Sequence, residues 1–247
     1  MTETLSLRAK IEQSPMGAYQ WMIVVMAAIM NLLDGFDVLA LAFTATAIRG
    51  EFGLTGIELG YLLSAGLFGM TAGSLFLAPL ADKIGRRPLL LMAVSLSAIG
   101  MLGSAFISQY QWLGFWRVIT GLGVGGILVG TNVITSEYSS RKWRSFAISV
   151  YAAGFGIGAV LGGMFAVMLQ GEYGWRSVFL AGAILTGLLL VVLFIWLPES
   201  IDFLTSKQPK NAEVRLNLIA KKIGLAGDWK LPEKAEKVKT KLPIHQL

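Results

Sequence analysis

Six apolar runs dominate the sequence, and each is long enough to cross a bilayer as a helix. A helix needs about 20 consecutive, mostly apolar residues to span the hydrocarbon core, and backbone polar groups in lipid must be bonded within the span. The pattern therefore predicts an all-α, polytopic membrane protein whose six transmembrane helices form one bundle over residues 19–200. The runs are Tyr19 to Ala47, Ile57 to Leu80, Leu89 to Ile107, Trp112 to Ile134, Phe146 to Leu169 and Val178 to Leu197.

The composition supports this class and leaves little material for catalysis. Of the 247 residues, 55% are hydrophobic and 15% are charged, and the mean hydropathy is +0.65. The chain has no cysteine and a single histidine, His245, which argues against disulfides, thiolate chemistry and histidine-rich metal sites. No predicted helix carries paired histidines, a glycine-flanked serine or clustered metal-binding carboxylates. The sequence thus predicts neither an enzyme nor a metal or cofactor site.

The basic residues predict the orientation of the bundle. The net charge of +6 does not indicate nucleic acid, because the positive residues fall in loops on alternate sides of the apolar runs. Only Arg49 and Arg176 fall on the second side, and Arg117 lies inside the fourth run. The positive-inside rule predicts that both termini are cytoplasmic, and we expect the membrane to be a bacterial inner membrane. The basic residues of the first side are Arg8, Lys10, Lys83, Arg86, Arg87, Arg141, Lys142, Arg144 and the ten of the tail.

Two polar segments flank the bundle. Residues 1–18 are predicted to be a cytoplasmic N-terminal segment, and the apolar run that follows exceeds a signal-peptide core in length, so it is expected to be retained. Residues 201–247 are lysine-rich and are predicted to be a cytoplasmic loop. Within that loop, Val214, Leu218 and Ile219 have helical spacing. They predict either a solvated linker or a short helix lying on the membrane surface.

Three polar residues in the first span are the strongest functional candidates. An ionised carboxylate in the membrane interior costs about 2.5–3.5 kcal/mol on insertion scales, and this span holds both Asp34 and Asp37 behind Asn31. The helical spacing places all three on one face, which we expect to point at a cavity. A carboxylate in surroundings that change between apolar and cationic can bind and release a proton. The alternative is that the aspartates only pair with Arg117 or cap helices.

Arg117 is a second intramembrane charge, in the fourth span. A guanidinium can hold a substrate carboxylate through two hydrogen bonds or can pair with an aspartate, and either use predicts that it faces the core.

Glycines spaced four apart, which allow close helix packing, occur in the second, fourth and fifth spans. They are Gly69 and Gly73, Gly121 and Gly125, and Gly154, Gly158 and Gly162.

A charged loop between the second and third spans has an ordered pattern. Its candidate gating residues are Asp82, Lys83, Gly85, Arg86 and Arg87. Gly85 permits a tight turn, and Asp82 is expected to meet Arg86 or the N-terminus of a facing helix. The pattern resembles the loop signature of the major facilitator superfamily, although Ala78 stands where that family usually has glycine.

Other segments extend this resemblance over residues 19–200. Residues 117–126 resemble the family's helix 4 motif, residues 137–144 its loop 4–5 motif, and residues 174–176 and 198–200 the two ends of its helix 6. Asp34-Gly-Phe-Asp37 resembles helix 1 of the aromatic acid:proton symporter family. That resemblance implies import of benzoate-like, hydroxybenzoate-like or muconate-like acids with protons. It also implies that both aspartates serve uptake and that Arg117 serves coupling or substrate binding.

The resemblance covers one half of the family's two-bundle fold. We therefore expect the N-terminal six-helix half, with the C-terminal half missing and the chain ending inside the central loop. The expected partners are a small organic acid, protons, the lipid bilayer and that missing half, with no nucleic acid. Two alternatives stay open: a transporter of another metabolite, such as a sugar, a dicarboxylate or a drug, and a truncated half that does not transport alone.

Overall fold

The computed structural model describes residues 6–225 and 227–231, and the regular structure in that part is entirely α-helical. Nine helices follow one another within these described residues. They are α1 (Leu7–Gln13), α2 (Ala18–Phe52), α3 (Gly56–Ile84), α4 (Arg86–Ala105), α5 (Tyr110–Tyr138), α6 (Arg144–Tyr173), α7 (Arg176–Trp196), α8 (Ile201–Lys207) and α9 (Ala212–Ile223).

The prediction of six spans is confirmed, because α2 to α7 are each long and apolar enough to cross a membrane. Most helices continue beyond the apolar runs that predicted them. Thus α2 passes Ala47 and runs through Arg49 to Phe52, ending where Gly53 takes a left-handed φ of 63°. Backbone hydrogen bonding carries a helix into the polar interface, whereas hydropathy marks only its apolar part.

Close packing of α2 against α6 depends on glycine. A methyl group at Gly158 would overlap the backbone carbonyl of Leu32, and one at Gly35 would overlap the carbonyl of Phe155 from the other side. Gly154 faces Ala28 in the same way, while Gly162 lies against the Phe36 ring. Small residues thus bring the two backbones into direct contact, as is usual for helices that associate in lipid.

The α3–α5 contact follows the same rule with glycines on both helices. Gly69 and Gly73 of α3 lie against the backbone of α5, and Gly121 and Gly125 of α5 lie against the backbone of α3. On its other side α5 packs against α4, which in turn packs against α7. Helix α5 therefore lies at the centre of the bundle.

The buried side chains form two apolar cores, one toward each end of the bundle. The core on the side of the termini includes Met30 and Ile127, and the opposite core includes Phe36, Met101 and Phe179. Buried polar side chains of α2, α4 and α5 form a polar layer inside the bundle. This polar layer contains the charged candidates from the sequence.

The short helices cover the end of the bundle that holds the termini. Leu7 and Ile11 of α1 are buried, Arg8 pairs with Asp202 of α8, and Arg144 of α6 donates to Glu12 at 2.6 Å. The hydrogen bond from Arg144 lowers the pKa of the Glu12 carboxyl. These contacts tie the N-terminal segment to the α5–α6 connection and to α8.

The helical spacing in the lysine-rich segment corresponds to α9, whose apolar residues divide between a covered and an uncovered side. Val214 and Leu218 are exposed, whereas Leu216 and Ile219 are buried against the bundle. Spacing alone cannot decide which side of a short helix is covered when apolar residues occur on both sides. The end of the predicted loop, residues 232–247 with His245, lies outside the described residues.

Large apolar side chains remain exposed on α3 and α6, which bury mainly small residues. Phe68 and Phe76 of α3 are exposed, as are Val160 and Met168 of α6. In a membrane such faces contact lipid or another set of helices. The bundle therefore presents apolar faces on α3 and α6 that its own helices do not cover.

The α2–α6 contact predicts a glycine-specific loss of stability. Gly158→Ala forces a methyl group against the backbone of α2, which can relax only by moving the helix, so we expect a loss of about 1–3 kcal/mol and a clear fall in melting temperature. Gly156→Ala, two residues away, is the control because nothing lies within 4 Å of its added carbon. The measurement is thermal unfolding of both purified variants in detergent, and equal melting temperatures would contradict the packing described here.

Candidate functional site

The polar stripe of α2 is completely buried, in agreement with the requirement that intramembrane charges avoid lipid. Asn31, Asp34 and Asp37 are each 3% exposed or less. The sequence suggested that the stripe faces one cavity, but its residues are directed at different helices. Asn31 is directed at α6 and donates to the carbonyl of Tyr151 at 2.8 Å, whereas the Asp37 side chain is directed at α4. Asn31 and Asp37 thus reach different helices from the same face of α2.

The Asp37 carboxylate is held by a serine of α4. The Ser97 hydroxyl donates to Oδ2 of Asp37 at 2.7 Å, and both residues are buried. The other oxygen, Oδ1, has no hydrogen-bond partner and faces Gly182 of α7. Asp37 therefore has one oxygen bonded and one free to accept a proton or another donor.

Asp34 lies one turn earlier on α2 and has less support. Its Oδ2 atom is buried without a hydrogen-bond partner, and so is Oδ1 of Asn31. Two buried acceptors without donors are costly unless a proton or a small donor satisfies them. Protonation of Asp34 would therefore lower the energetic cost of burying these acceptors.

Arg117 is buried among neutral acceptors. Its guanidinium donates to Ser104 at 3.0 Å, to Thr120 at 2.9 Å and to the sulfur of Met101 at 3.0 Å. The Phe179 ring lies 4.8 Å from the guanidinium carbon, in cation–π distance. Four helices thus meet at this one side chain: α5, which carries it, α2, α4 and α7.

Arg117 and the aspartates do not form the ion pair that was the structural alternative. Within residues 6–225, no side-chain ion pair joins Arg117 to Asp34 or Asp37. The contact is to the backbone instead, since one Nη atom donates to the carbonyl oxygen of Asp37 at 3.3 Å. The opposite charges are close enough to interact, but neither neutralises the other by direct contact.

A small pocket connects the two charges. Asp37 and Arg117 line it together with Thr120 and apolar residues of α2, α3 and α5, and its volume is about 30 Å³. A cavity needs about 10–15 Å³ measured in this way to hold one water molecule. The pocket therefore has room for one or two waters between the charged groups and the α3 side of the bundle.

The loop predicted to be a gate forms a tight corner between α3 and α4. Gly85 takes a φ of 104°, which other residues rarely adopt, and Arg86 donates to Asp82 at 2.7 Å as expected. Arg87 donates to the carbonyl of Phe194 at 2.6 Å and so attaches the corner to α7. Lys83 is exposed.

Two glutamates that we did not single out hold this end of the bundle. Glu199 accepts from the backbone N–H groups of Arg86 and Arg87 at 2.8 and 3.0 Å and so caps α4. Glu137, near the end of α5, accepts from Ser200 and from the N–H of Ile201 at 2.8 Å each and so caps α8. Negative groups are favoured at helix N-termini by the unpaired N–H groups and the helix dipole.

Several polar residues of the central layer were also missed. Ser97 and Ser104 are seven residues apart and share a face of α4, and Thr120 follows Arg117 by three residues on α5. Helical spacing could have placed Thr120 beside Arg117. Nothing in the sequence identified α4 as the helix that supplies the hydroxyls, because serines in transmembrane helices usually bond to their own backbone.

Comparison with known proteins gives a consistent picture. The sequence profile of the Major Facilitator Superfamily matches residues 27–234. The chain is 34% identical over 234 residues to the 4-hydroxybenzoate transporter PcaK of Pseudomonas putida, covering 94% of this chain and 52% of that protein. It is 36% identical over 204 residues to the gallate transporter of Pseudomonas putida, covering 83% and 45%. The chain thus spans about half the length of the curated relatives it matches.

The solved structures agree on the fold. The proton:xylose symporter XylE of E. coli superposes with a TM-score of 0.73 at 23% identity, over 83% of this chain and 51% of that one. At this identity the likeness shows the helical arrangement alone. The match again covers about half of the longer protein.

The capping contacts predict which charge stabilises the α3–α4 corner. Glu199→Ala leaves the N–H groups of Arg86 and Arg87 without their acceptor, and loss of a helix cap costs about 0.5–2 kcal/mol. We expect a lower melting temperature of the purified protein in detergent. Asp82→Asn is the control, since its pair with Arg86 is exposed and worth only about 0.3–0.5 kcal/mol. A larger effect of Asp82→Asn than of Glu199→Ala would contradict this assignment.

Proposed function

Because this chain belongs to the Major Facilitator Superfamily, we propose that it is the N-terminal bundle of a proton-coupled importer of aromatic or related organic acids, such as 4-hydroxybenzoate or benzoate. The observation that carries the proposal is the buried layer of Asp34, Asp37 and Arg117, in which charges lie close together without a direct ion pair. The names of the relatives support the class of substrate.

Charge balance in the polar layer accounts for coupling. With Asp37 ionised, its charge offsets that of Arg117, and a second anion nearby is unfavourable in a medium of low dielectric. With Asp37 protonated, the charge of Arg117 is left to attract the carboxylate of a substrate. A proton and an organic anion then enter together more favourably than either enters alone.

The route for the proton follows from the pocket. Asp37 and Arg117 both line the small cavity on the α3 side of the bundle, and water in this cavity gives the proton a path as far as Asp37. Asp34 and Asn31 provide the second acceptor position one turn away. The carboxylates therefore act as proton carriers, and Arg117 acts as the fixed positive charge that senses them.

The substrate site itself requires a second bundle. The exposed apolar faces of α3 and α6 and the double length of the relatives support an arrangement of two six-helix halves with the substrate between them. Transport then proceeds by rocking one half against the other around that site. The corner at Gly85, with Asp82, Lys83, Arg86 and Arg87, serves as the gate at the cytoplasmic end.

The cellular setting belongs to the same proposal. We place the protein in a bacterial inner membrane with both termini in the cytoplasm, residues 1–18 as an N-terminal segment, residues 19–200 as the spanning bundle, and residues 201–247 as a cytoplasmic loop. The clustering of Lys and Arg at the end of the bundle that holds α1, α8 and α9 supports this orientation.

The transport proposal predicts proton-driven uptake that depends on the polar layer. We would measure uptake of labelled 4-hydroxybenzoate and benzoate in cells lacking aromatic-acid importers. The cells would express the chain alone or joined to the second half of the P. putida 4-hydroxybenzoate transporter. Uptake should be abolished by a proton uncoupler and reduced at least tenfold by Asp37→Asn and by Arg117→Lys, since lysine cannot reproduce the fork of hydrogen bonds.

Matched controls separate these effects from general damage. Glu172→Gln removes one exposed negative charge at the end of α6 and should leave uptake unchanged. Excess xylose should not compete, whereas excess gallate should. Uptake that is insensitive to both the uncoupler and Asp37→Asn, or no aromatic-acid uptake by either form of the protein, would reject the proposal.

The orientation predicts the behaviour of reporter fusions. Green fluorescent protein joined after residue 231 should fluoresce, and alkaline phosphatase at the same point should be inactive, because that point is cytoplasmic. Fusions at Gly53, between α2 and α3, should give the opposite result. Active phosphatase after residue 231 would mean that the bundle is inverted.

A further inference from the structure

Ser97 on α4 differs from neighbouring serines in its hydrogen-bond partner. Ser95 and Ser104 on the same helix donate to carbonyls four residues earlier, at 2.7 Å in each case. This is the common way to satisfy a hydroxyl in an apolar helix. The Ser97 hydroxyl instead donates to the Asp37 carboxylate of α2, also at 2.7 Å.

The surrounding helices keep this pair together. An added carbon at Gly123 of α5 would lie 2.6 Å from the backbone nitrogen of Ser97, so glycine is what allows α4 to approach so closely. On the far side, an added carbon at Gly182 of α7 would lie 3.3 Å from Oδ1 of Asp37. The carboxyl group is therefore held between α4 and α7, and Ser97 is its one hydrogen-bond donor among residues 6–225.

Few other charged groups face Asp37. Arg117 of α5 approaches its backbone carbonyl, Asp34 lies one turn away on α2, and Tyr151 of α6 lies on the Asp34 side of the stripe. The residues of α4 and α7 that face the carboxyl, Ser97 and Gly182, carry no charge. A change at Ser97 therefore alters the hydrogen bonding of Asp37 without changing the charge around it.

We propose that Ser97 is a positioning residue for Asp37, holding its carboxyl group against α4 and setting the pH at which it takes up a proton. The inference rests on the proposed role of Asp37 as a proton carrier. A hydroxyl is both donor and acceptor, so Ser97 donates to the ionised carboxylate and, after rotation, accepts from the protonated acid. The carboxyl group keeps a partner on α4 in both states.

The test is an infrared pH titration of the purified full chain in lipid nanodiscs. The carboxylic-acid C=O band that is lost in Asp37→Asn reports protonation of Asp37 without any need for transport. In Ser97→Ala the ionised form loses its donor, so the midpoint should move to higher pH by about one unit, the size expected for one hydrogen bond to a charged group. The C=O band should also move to higher frequency.

Three variants make the result specific. Ser97→Thr keeps the hydroxyl and should restore the wild-type midpoint. Ser97→Cys keeps the volume with a weaker donor and should give a smaller shift in the same direction, which also serves if the alanine variant does not fold. Ser95→Ala removes a neighbouring hydroxyl that bonds only within α4 and should have no effect.

The outcomes distinguish this inference from the transport proposal. An unchanged midpoint in folded Ser97→Ala, or equal shifts in Ser97→Ala, Ser97→Thr and Ser95→Ala, would overturn the positioning role. Absence of any band that depends on Asp37 would overturn the proton-carrier role and this inference with it. A Ser97-specific shift in a protein that shows no aromatic-acid uptake would support the positioning role and reject only the transport proposal.

Discussion

Burial of the Arg117 guanidinium is the constraint on which the central part of the bundle depends. A charge in the membrane interior costs about 2.5–3.5 kcal/mol or more, so every surrounding helix must contribute to its support. Helix α4 supplies a hydroxyl and a thioether, α2 a carbonyl, and α7 an aromatic face. These partners fix the mutual arrangement of four helices at one level of the membrane. Within residues 6–225, the same arrangement leaves the guanidinium without a carboxylate partner. The positive charge of Arg117 is therefore not neutralised by direct contact.

Close helix contacts make this support possible. Gly123 of α5 brings the backbones of α4 and α5 together beside Ser97, and the short side chains of Ser97 and Ser104 bond to residues of neighbouring helices. With larger residues at these contacts, the helices would stand further apart and the polar groups would lose their partners. The packing glycines and the polar layer therefore depend on each other. The glycines set the distance between helices, and the hydrogen bonds of the polar layer require that distance.

Charge also organises the end of the bundle that holds the termini, but in a different way. There Glu199 and Glu137 bond to helix N-termini rather than to cations, and the pairs between side chains, such as Arg86 with Asp82, lie at the surface. Exposed pairs are weak and can be exchanged readily, whereas buried caps are costly to break. The surface pairs at this end are therefore easier to break than the caps that hold each helix corner.

The sequence by itself determined the number of spans, their approximate limits and the presence of charges that require a core location. These features follow from the lipid bilayer. The bilayer imposes a length and an apolar character on every span and excludes unpaired charges from the lipid-facing surface of the bundle. The family motifs added the fold and the expectation that Asp34, Asp37 and Arg117 serve transport. Only the tertiary structure decided that Asp37 bonds to Ser97 rather than to Arg117, that Asn31 is directed at α6, and that Glu199 caps α4. Each of these contacts joins residues at least 60 positions apart, and its partner depends on how the helices rotate and pack, which no local spacing specifies.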